Sequence, residues 1–245
     1  PSIGQLRERD RSLELTKEFL EIAGVESIDE LRSTSVEKIL DFQTSQYLSA
    51  NKTFDFFAPT GGGVGIESDI LNTASQSAVQ FVVGTNKDEN KIWAAFDPAL
   101  ADADADMWNE FCVENFGDNA TNARQTYEKM RPNESPRDLM SAISTDTGFR
   151  QRAISFAEAR VANNQPTWMY WFTWPTPFMD GALGCCHALD IPFAFNNLNA
   201  PGAEMFLGDG DERQPIADRF GAEITQFAHH GHPSWSQYDT ETRAT

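Results

Sequence analysis

The first fifty residues alternate apolar positions at helical spacing with polar caps. Leu13, Phe19, Leu20 and Ile22 recur at roughly helical intervals before Gly24. A glycine just past such a run reads as a helix C-cap, because it reaches the left-handed conformation without a Cβ clash. Ser27 with Glu30 and Thr34 with Glu37 read as capping boxes. The second of these opens a helix with Val36, Ile39 and Leu40 on one face and Phe42 on its flank. Residues 78–84, Ala-Val-Gln-Phe-Val-Val-Gly, form a near-continuous apolar run ended by glycine. That pattern predicts a strand buried on both faces, of the kind found in the parallel sheets of α/β folds. Helices are predicted over 107–116, 120–130 and 146–162, with Pro132 and Pro136 as breaks. The aromatic run 168–174, between Pro166 and Pro175, predicts a second strand. A loop with Gly181, Gly184 and His187 follows it. The last helix is expected over 215–228, with Ile216, Phe220, Ile224 and Phe227 on one stripe.

Charge narrows the partners. Against 19 Lys and Arg stand 37 Asp and Glu, a net −18 that repels phosphate backbones and anionic lipid, so no nucleic-acid partner is expected. No run approaches the roughly 18 apolar residues that a membrane span needs. The hydrophobic share of 40% is enough to build a sizeable core and excludes wholesale disorder. Cys112, Cys185 and Cys186 allow at most one bridge and no disulfide framework. Sequons at Asn51, Asn119 and Asn133 are near the number that chance gives and do not argue for secretion.

Several candidate sites have simpler readings. Asp102, Asp104 and Asp106 alternate with alanine like a calcium loop, but Met107 and Val113 stand where its glycine and glutamate belong. An acidic helix start fits them better. His229, His230 and His232 cluster, yet adjacent helical residues point about 100° apart, so the expected place is a helix C-terminus and no metal is expected. Gly61 to Gly65 lacks both the ending of a P-loop and the GxGxxG spacing, and reads as a turn or loop. Glu89 and His187 remain. Glu89 follows the first strand closely, near the carboxyl end where open α/β sheets place their chemistry. His187 follows the second strand in a loop of small residues. Position alone leaves each open to the plainer reading of a surface charge or a satisfied histidine.

Four segments change that balance. Phe81-Val82-Val83-Gly84-Thr85-Asn86-Lys87-Asp88-Glu89 is similar to the strand-then-acid motif of type-B carboxylesterases, the α/β-hydrolase family that includes cholinesterases. Tyr170 to Trp174, with Gly184-Cys185-Cys186-His187-Ala188-Leu189-Asp190-Ile191-Pro192-Phe193, resembles the family's histidine motif. Phe227 to Pro233 followed by Trp235 and Tyr238, and Leu31 to Ser35 near the start, resemble two further family elements. Departures are Asn90 where the family has glycine, Ala58-Pro59-Thr60-Gly61-Gly62 in place of its usual turn, and Cys186 before the histidine.

The resemblance implies an α/β fold, the C-terminal half of a mostly parallel α/β-hydrolase sheet covered by helices, with residues 1–245 as part of one domain and a helical insert at about 100–165. It implies a serine carboxylic-ester hydrolase in which His187 is the base and Glu89 the acid, acting on a small-molecule ester without a cofactor. No G-x-S-x-G occurs, and Gly65-Ile66-Glu67-Ser68-Asp69 comes nearest with its serine one residue late. The nucleophile elbow and the oxyanion donors are therefore expected in an N-terminal half that is this chain's partner, and activity only with that half. Any secretory signal would lie there too, which leaves cytoplasmic and secreted locations open. Trp171, Trp174, Phe178 and Gly62 are expected to line the pocket, with core packing of the aromatics as the competing reading. The alternatives are a non-catalytic cholinesterase-like adhesion module and a carbamate or amide hydrolase of the same family.

Overall fold

The computed structural model describes residues 6–49, 59–63 and 65–243; Asn51, Ala58, Val64 and the first five residues lie outside them. The chain divides into two compact units, Pro1–Ala74 and Ser75–Thr245. The first contains α1 (Arg9–Ala23), α2 (Ile28–Arg32) and α3 (Val36–Ser49), and α4 (Ile70–Gln76) runs across the boundary. Gly24 closes α1 at φ 64°, as its position predicts. The inward stripe of α1 is Leu15, Phe19 and Ala23, at four-residue spacing, with Leu15 and Ala23 buried and Phe19 half-buried, while Leu13 and Ile22 face solvent. Phe19 meets Phe42 of α3 edge to face. Ser27 caps α2 by accepting from the Glu30 N–H, but the Glu30 carboxylate accepts from Glu26 instead of closing the box on Ser27. The expected Thr34–Glu37 box is replaced: the Thr34 hydroxyl donates to the Glu30 carbonyl at the end of α2, so Ser35 caps α3 by accepting from Lys38.

In the second unit β1 (Phe81–Asn86) pairs in parallel with β2 (Thr167–Phe172), from Phe81 opposite Thr167 to Asn86 opposite Phe172. Parallel neighbours need a long crossover. Here it consists of α5 (Lys91–Phe96), α6 (Ala105–Phe116), α7 (Ala120–Met130), α8 (Pro136–Thr145), a π-helical turn at Asp146–Arg150, and α9 (Gln151–Ala162). Beyond β2 come α10 (Ile191–Ala194), α11 (Ala203–Leu207) and α12 (Arg213–His230).

The strand predicted from residue 78 begins three residues later. The buried guanidinium of Arg160 donates to the carbonyls of Ser77 and Val79, which holds that approach outside the ladder and leaves Val79 exposed. Phe81 and Val82 are only half buried, because β2 alone flanks β1 among the described residues, whereas Val83, Thr85 and Asn86 are buried. Pro136 starts a helix instead of separating two: at the first turn its missing N–H is not needed, and Ser135 caps α8 by accepting from Asp138. The aromatic strand ends at Phe172, whose carbonyl takes the last rung from Lys87 before both chains turn away. The C-terminal helix runs to His230 and stops at Gly231 in the left-handed conformation, so the histidine cluster is a helix end. Asp104 caps α6 by accepting from the N–H groups of Asp106 and Met107, which is the acidic helix start expected of that run.

Two apolar clusters organise this unit. Phe172, Cys185, Leu189, Phe193, Leu198, Leu207 and Ala217 pack around the end of β2, while Trp108, Cys112, Leu139, Met140 and Ile143 join α6 to α8. Among the described residues no helix is long and apolar enough to cross a membrane, and no group of His, Cys, Asp or Glu is placed to hold a metal.

Two outcomes follow from this packing. Gly84 lies opposite Tyr170, and a Cβ there would sit 2.3 Å from the tyrosine ring. Gly84→Ala is expected to cost about 1–3 kcal/mol in urea unfolding, the usual range for overpacking. Cys185 and Cys186 are free and buried, and burial pushes their thiols up to about 12 and about 11 from the ordinary 9.0. A raised thiol pKa favours the protonated form in the fold, so this contribution to stability is complete below pH 9 and is lost as pH rises through about 11 for Cys186 and about 12 for Cys185. Ellman's reagent at about pH 8 should therefore label both thiols only on unfolding.

Candidate active site

The carboxyl ends of β1 and β2 face the same loop cluster, since the strands are parallel and in register. Beyond Asn86 the chain is clamped to the loop after β2. The Asp88 N–H donates to the Cys185 carbonyl at 2.9 Å, and the Cys185 N–H returns a bond to Asp88 Oδ2 at 3.1 Å. Gly184, at φ +54°, makes room for this: a Cβ would stand 2.7 Å from Asp88 Oδ2. The other oxygen of Asp88 pairs with Arg131 at 3.4 Å, and Arg131 is itself anchored by Glu134. The clamp presents the next residue, Glu89, to the loop that carries His187.

Glu89 is 6% exposed. Its Oε1 accepts the Asn86 N–H at 2.7 Å, its Oε2 meets His187 Nδ1 at 2.6 Å, and its carbonyl accepts the His187 N–H at 3.3 Å. The carboxylate therefore fixes the tautomer with the proton on Nδ1 and leaves Nε2 as the acceptor. The imidazole is 46% exposed, and Nε2 has no hydrogen-bond partner among the described residues. Ala188, the next residue, holds φ 65°, a strained value for a residue with a Cβ, and the turn it makes aims the histidine back at Glu89.

The rings that flank His187 are Trp93 and Phe149, with centroids at 5.0 and 5.4 Å, and they stack on each other at 6.1 Å. Trp93 lies on α5, four residues after Glu89, with its ring beside His187. Phe149 lies in the π-helical turn, whose extra residue per turn displaces it from the α-helical stripe. That turn is pinned by Arg150, which pairs with Asp146 at 2.9 Å and donates to the Lys87 carbonyl, and by Tyr127, which donates to Asp146 at 2.7 Å. The Asn90 N–H donates to Thr145 Oγ1, tying α8 to the residue after the acid.

The structure thus brings Glu89 and His187 together, across 98 residues of sequence. Of the expected pocket residues, Trp171 and Trp174 line a cavity with Tyr170, Pro215, Arg219 and Phe220, away from His187. Trp171 is 44% exposed beneath the Arg150 guanidinium, the half-buried Trp174 packs on Phe193, and Phe178 packs on Phe206. None of the three rings touches His187 among the described residues. Gly62 belongs to the first unit, where it lines a cleft with Arg9, Ser12 and Thr60. Sequence reasoning missed Trp93 and Phe149 because neither has a spacing signal. The only clue to Trp93 was an aromatic residue one helical turn beyond the acid.

A family model described as the carboxylesterase family matches residues 5–244. The chain is 26% identical over 211 residues to phenmedipham hydrolase of Pseudarthrobacter oxydans, covering 85% of this chain and 42% of that protein. It is 24% identical to para-nitrobenzyl esterase of Bacillus subtilis, covering 97% of this chain and 49% of the esterase. The chain spans about half the length of these relatives. Among solved structures, carboxylesterase EST55 of Geobacillus stearothermophilus matches with a TM-score of 0.76 at 24% identity, over 98% of this chain and 51% of that one. A PNB esterase structure matches with a TM-score of 0.72 at 22% identity, over 98% and 50%. These likenesses show an α/β-hydrolase fold, and with the family match over nearly the whole chain they establish that this chain belongs to the carboxylesterase family.

Proposed function

We propose that this chain supplies the acid and base of a serine carboxylic-ester hydrolase, with Glu89 and His187 as two members of a triad whose serine lies in an N-terminal half outside this sequence. The 2.6 Å bond between Glu89 Oε2 and His187 Nδ1 carries the reading. Nε2 takes the proton of the serine hydroxyl as the hydroxyl oxygen attacks the ester carbonyl, and gives it to the leaving alcohol as the tetrahedral intermediate collapses. Glu89 holds the ring in the productive tautomer and stabilises the imidazolium between those steps. Water then attacks the acyl-enzyme by the same route in reverse. The oxyanion donors belong to the N-terminal half, and Trp93 and Phe149 form the aromatic wall beside the base.

A carbamate or amide hydrolase would use the same acid and base, and likeness to phenmedipham hydrolase makes phenmedipham the second substrate to test after p-nitrophenyl and p-nitrobenzyl esters. A non-catalytic adhesion module has no use for a buried carboxylate bonded to a half-exposed imidazole, and this pair argues against it.

In the enzyme assembled with the half that carries G-x-S-x-G, His187→Ala is expected to lower kcat by about a millionfold and Glu89→Gln by about ten-thousandfold. The double variant should be no slower than His187→Ala, because parts of one triad fail as a unit. Independent, multiplying losses would refute the pairing. Residues 1–245 alone are expected to give no ester turnover and no labelling by a fluorophosphonate, and both should appear when the upstream half is added. Turnover by this chain alone would overturn the division of the triad.

A further inference from the structure

Asn86 is the last residue of β1 and is 1% exposed. Its main-chain N–H donates to Glu89 Oε1 at 2.7 Å. Its side-chain amide donates to the carbonyl of Cys186, the residue before His187, at 2.8 Å, and to Asp190 Oδ1 at 3.1 Å. The acid and the backbone that carries the base are therefore both held by one residue. The second oxygen of Asp190 accepts the Tyr170 hydroxyl at 2.8 Å. Tyr170 reaches it because the residue across the ladder is Gly84, over which the ring lies, and Phe220 backs the ring at 5.0 Å.

The orientation of the Asn86 amide follows from these contacts. Both amide hydrogens are used, and Asn86 Oδ1 is buried with no partner among the described residues. A buried carbonyl without a donor is unfavourable. Reversal would be worse, because it would set Oδ1 against the Cys186 carbonyl and the Asp190 carboxylate. Asp190 fixes the amide, and Tyr170 fixes Asp190. Burial and the Asp190 carboxylate push the Tyr170 phenol well up, which keeps it a donor.

We propose that Asn86, Asp190 and Tyr170 are a positioning bridge for the Glu89–His187 pair, a role that rests on the catalytic reading above. Asp190 and Tyr170 make no hydrogen bond to Glu89 or His187 among the described residues, so their effect passes through the Asn86 amide and the Cys186 carbonyl. The Asn86–Cys186 link is buried and the two links to Asp190 are partly buried, and in such a setting hydrogen bonds in a chain polarise one another.

The test uses Tyr170→Phe, which removes one oxygen and leaves the ring over Gly84, together with Asp190→Asn and Asp190→Glu. In the assembled enzyme, Tyr170→Phe and Asp190→Asn should lower kcat roughly ten- to a hundredfold, the scale of a small misplacement of a catalytic group, with KM within about threefold. Asp190→Glu should recover part of the loss, and the double variant should be no slower than Asp190→Asn. The second readout is the low-field proton resonance of His187 Nδ1 in the wild-type protein, which should shift or broaden in both deletion variants. Unchanged kcat in folded Tyr170→Phe, or an unchanged His187 resonance in it, overturns the bridge. If the wild type shows no turnover and no serine labelling, the catalytic reading falls, while the resonance still decides whether the bridge holds the pair.

Discussion

Glu89 is a carboxylate almost wholly out of water, and such a group is costly to bury unless donors meet both of its oxygens. The structure around it supplies them. One donor is the main-chain N–H of Asn86, which stands where it does because β1 is in register with β2. The other is the imidazole of His187, carried on the loop that leaves β2. A slip of one residue in the strand pairing would turn every side chain of β1 to the opposite face and break both contacts. The ladder is therefore the reference frame of the site. Gly84, Lys87 and Phe172 matter here as parts of that frame, the first by admitting the Tyr170 ring and the other two by making its last rung.

The helices of the crossover have an apolar cluster of their own, yet three polar ties draw them to the few residues around Glu89. Arg131 reaches Asp88, Thr145 accepts from Asn90, and Arg150 donates to the Lys87 carbonyl. Each tie meets a main-chain or buried polar group that would otherwise be unsatisfied as the chain turns away from the sheet. The same ties place Phe149 and Trp93 against the histidine. On the catalytic reading, the wall beside the base and the support beneath the acid are one construction, and backbone strain at Ala188 is the local cost of closing it.

On that reading the second unit holds a proton-transfer pair that is complete in itself and lacks a nucleophile. The buried acid has both oxygens satisfied within this unit, while Nε2 of the half-exposed imidazole remains available. A neutral imidazole with its Nδ1 proton engaged is pre-organised for one task, accepting a proton at Nε2 from whatever hydroxyl is brought to it.

The sequence by itself determined the elements whose signal is local. Gly24, Asp104 and Gly231 end or begin helices for reasons contained in a few residues, and the apolar runs around Val83 and Met169 announce strands through composition alone. The order of motifs also determined the family and singled out Glu89 and His187. Tertiary structure decided what depends on distant partners. Arg160 trimmed the start of β1 by taking its carbonyls, Ser35 displaced Thr34 as a cap because Thr34 was engaged by α2, and Pro136 began a helix that periodicity had read as a break. It also set which aromatics lie beside His187: Trp174 packed on Phe193 and Phe178 on Phe206, while Trp93 and Phe149, 56 residues apart, stacked on each other and flanked the imidazole. A side chain's type is written in the chain, but its neighbours are fixed only when the ladder aligns segments about a hundred residues apart.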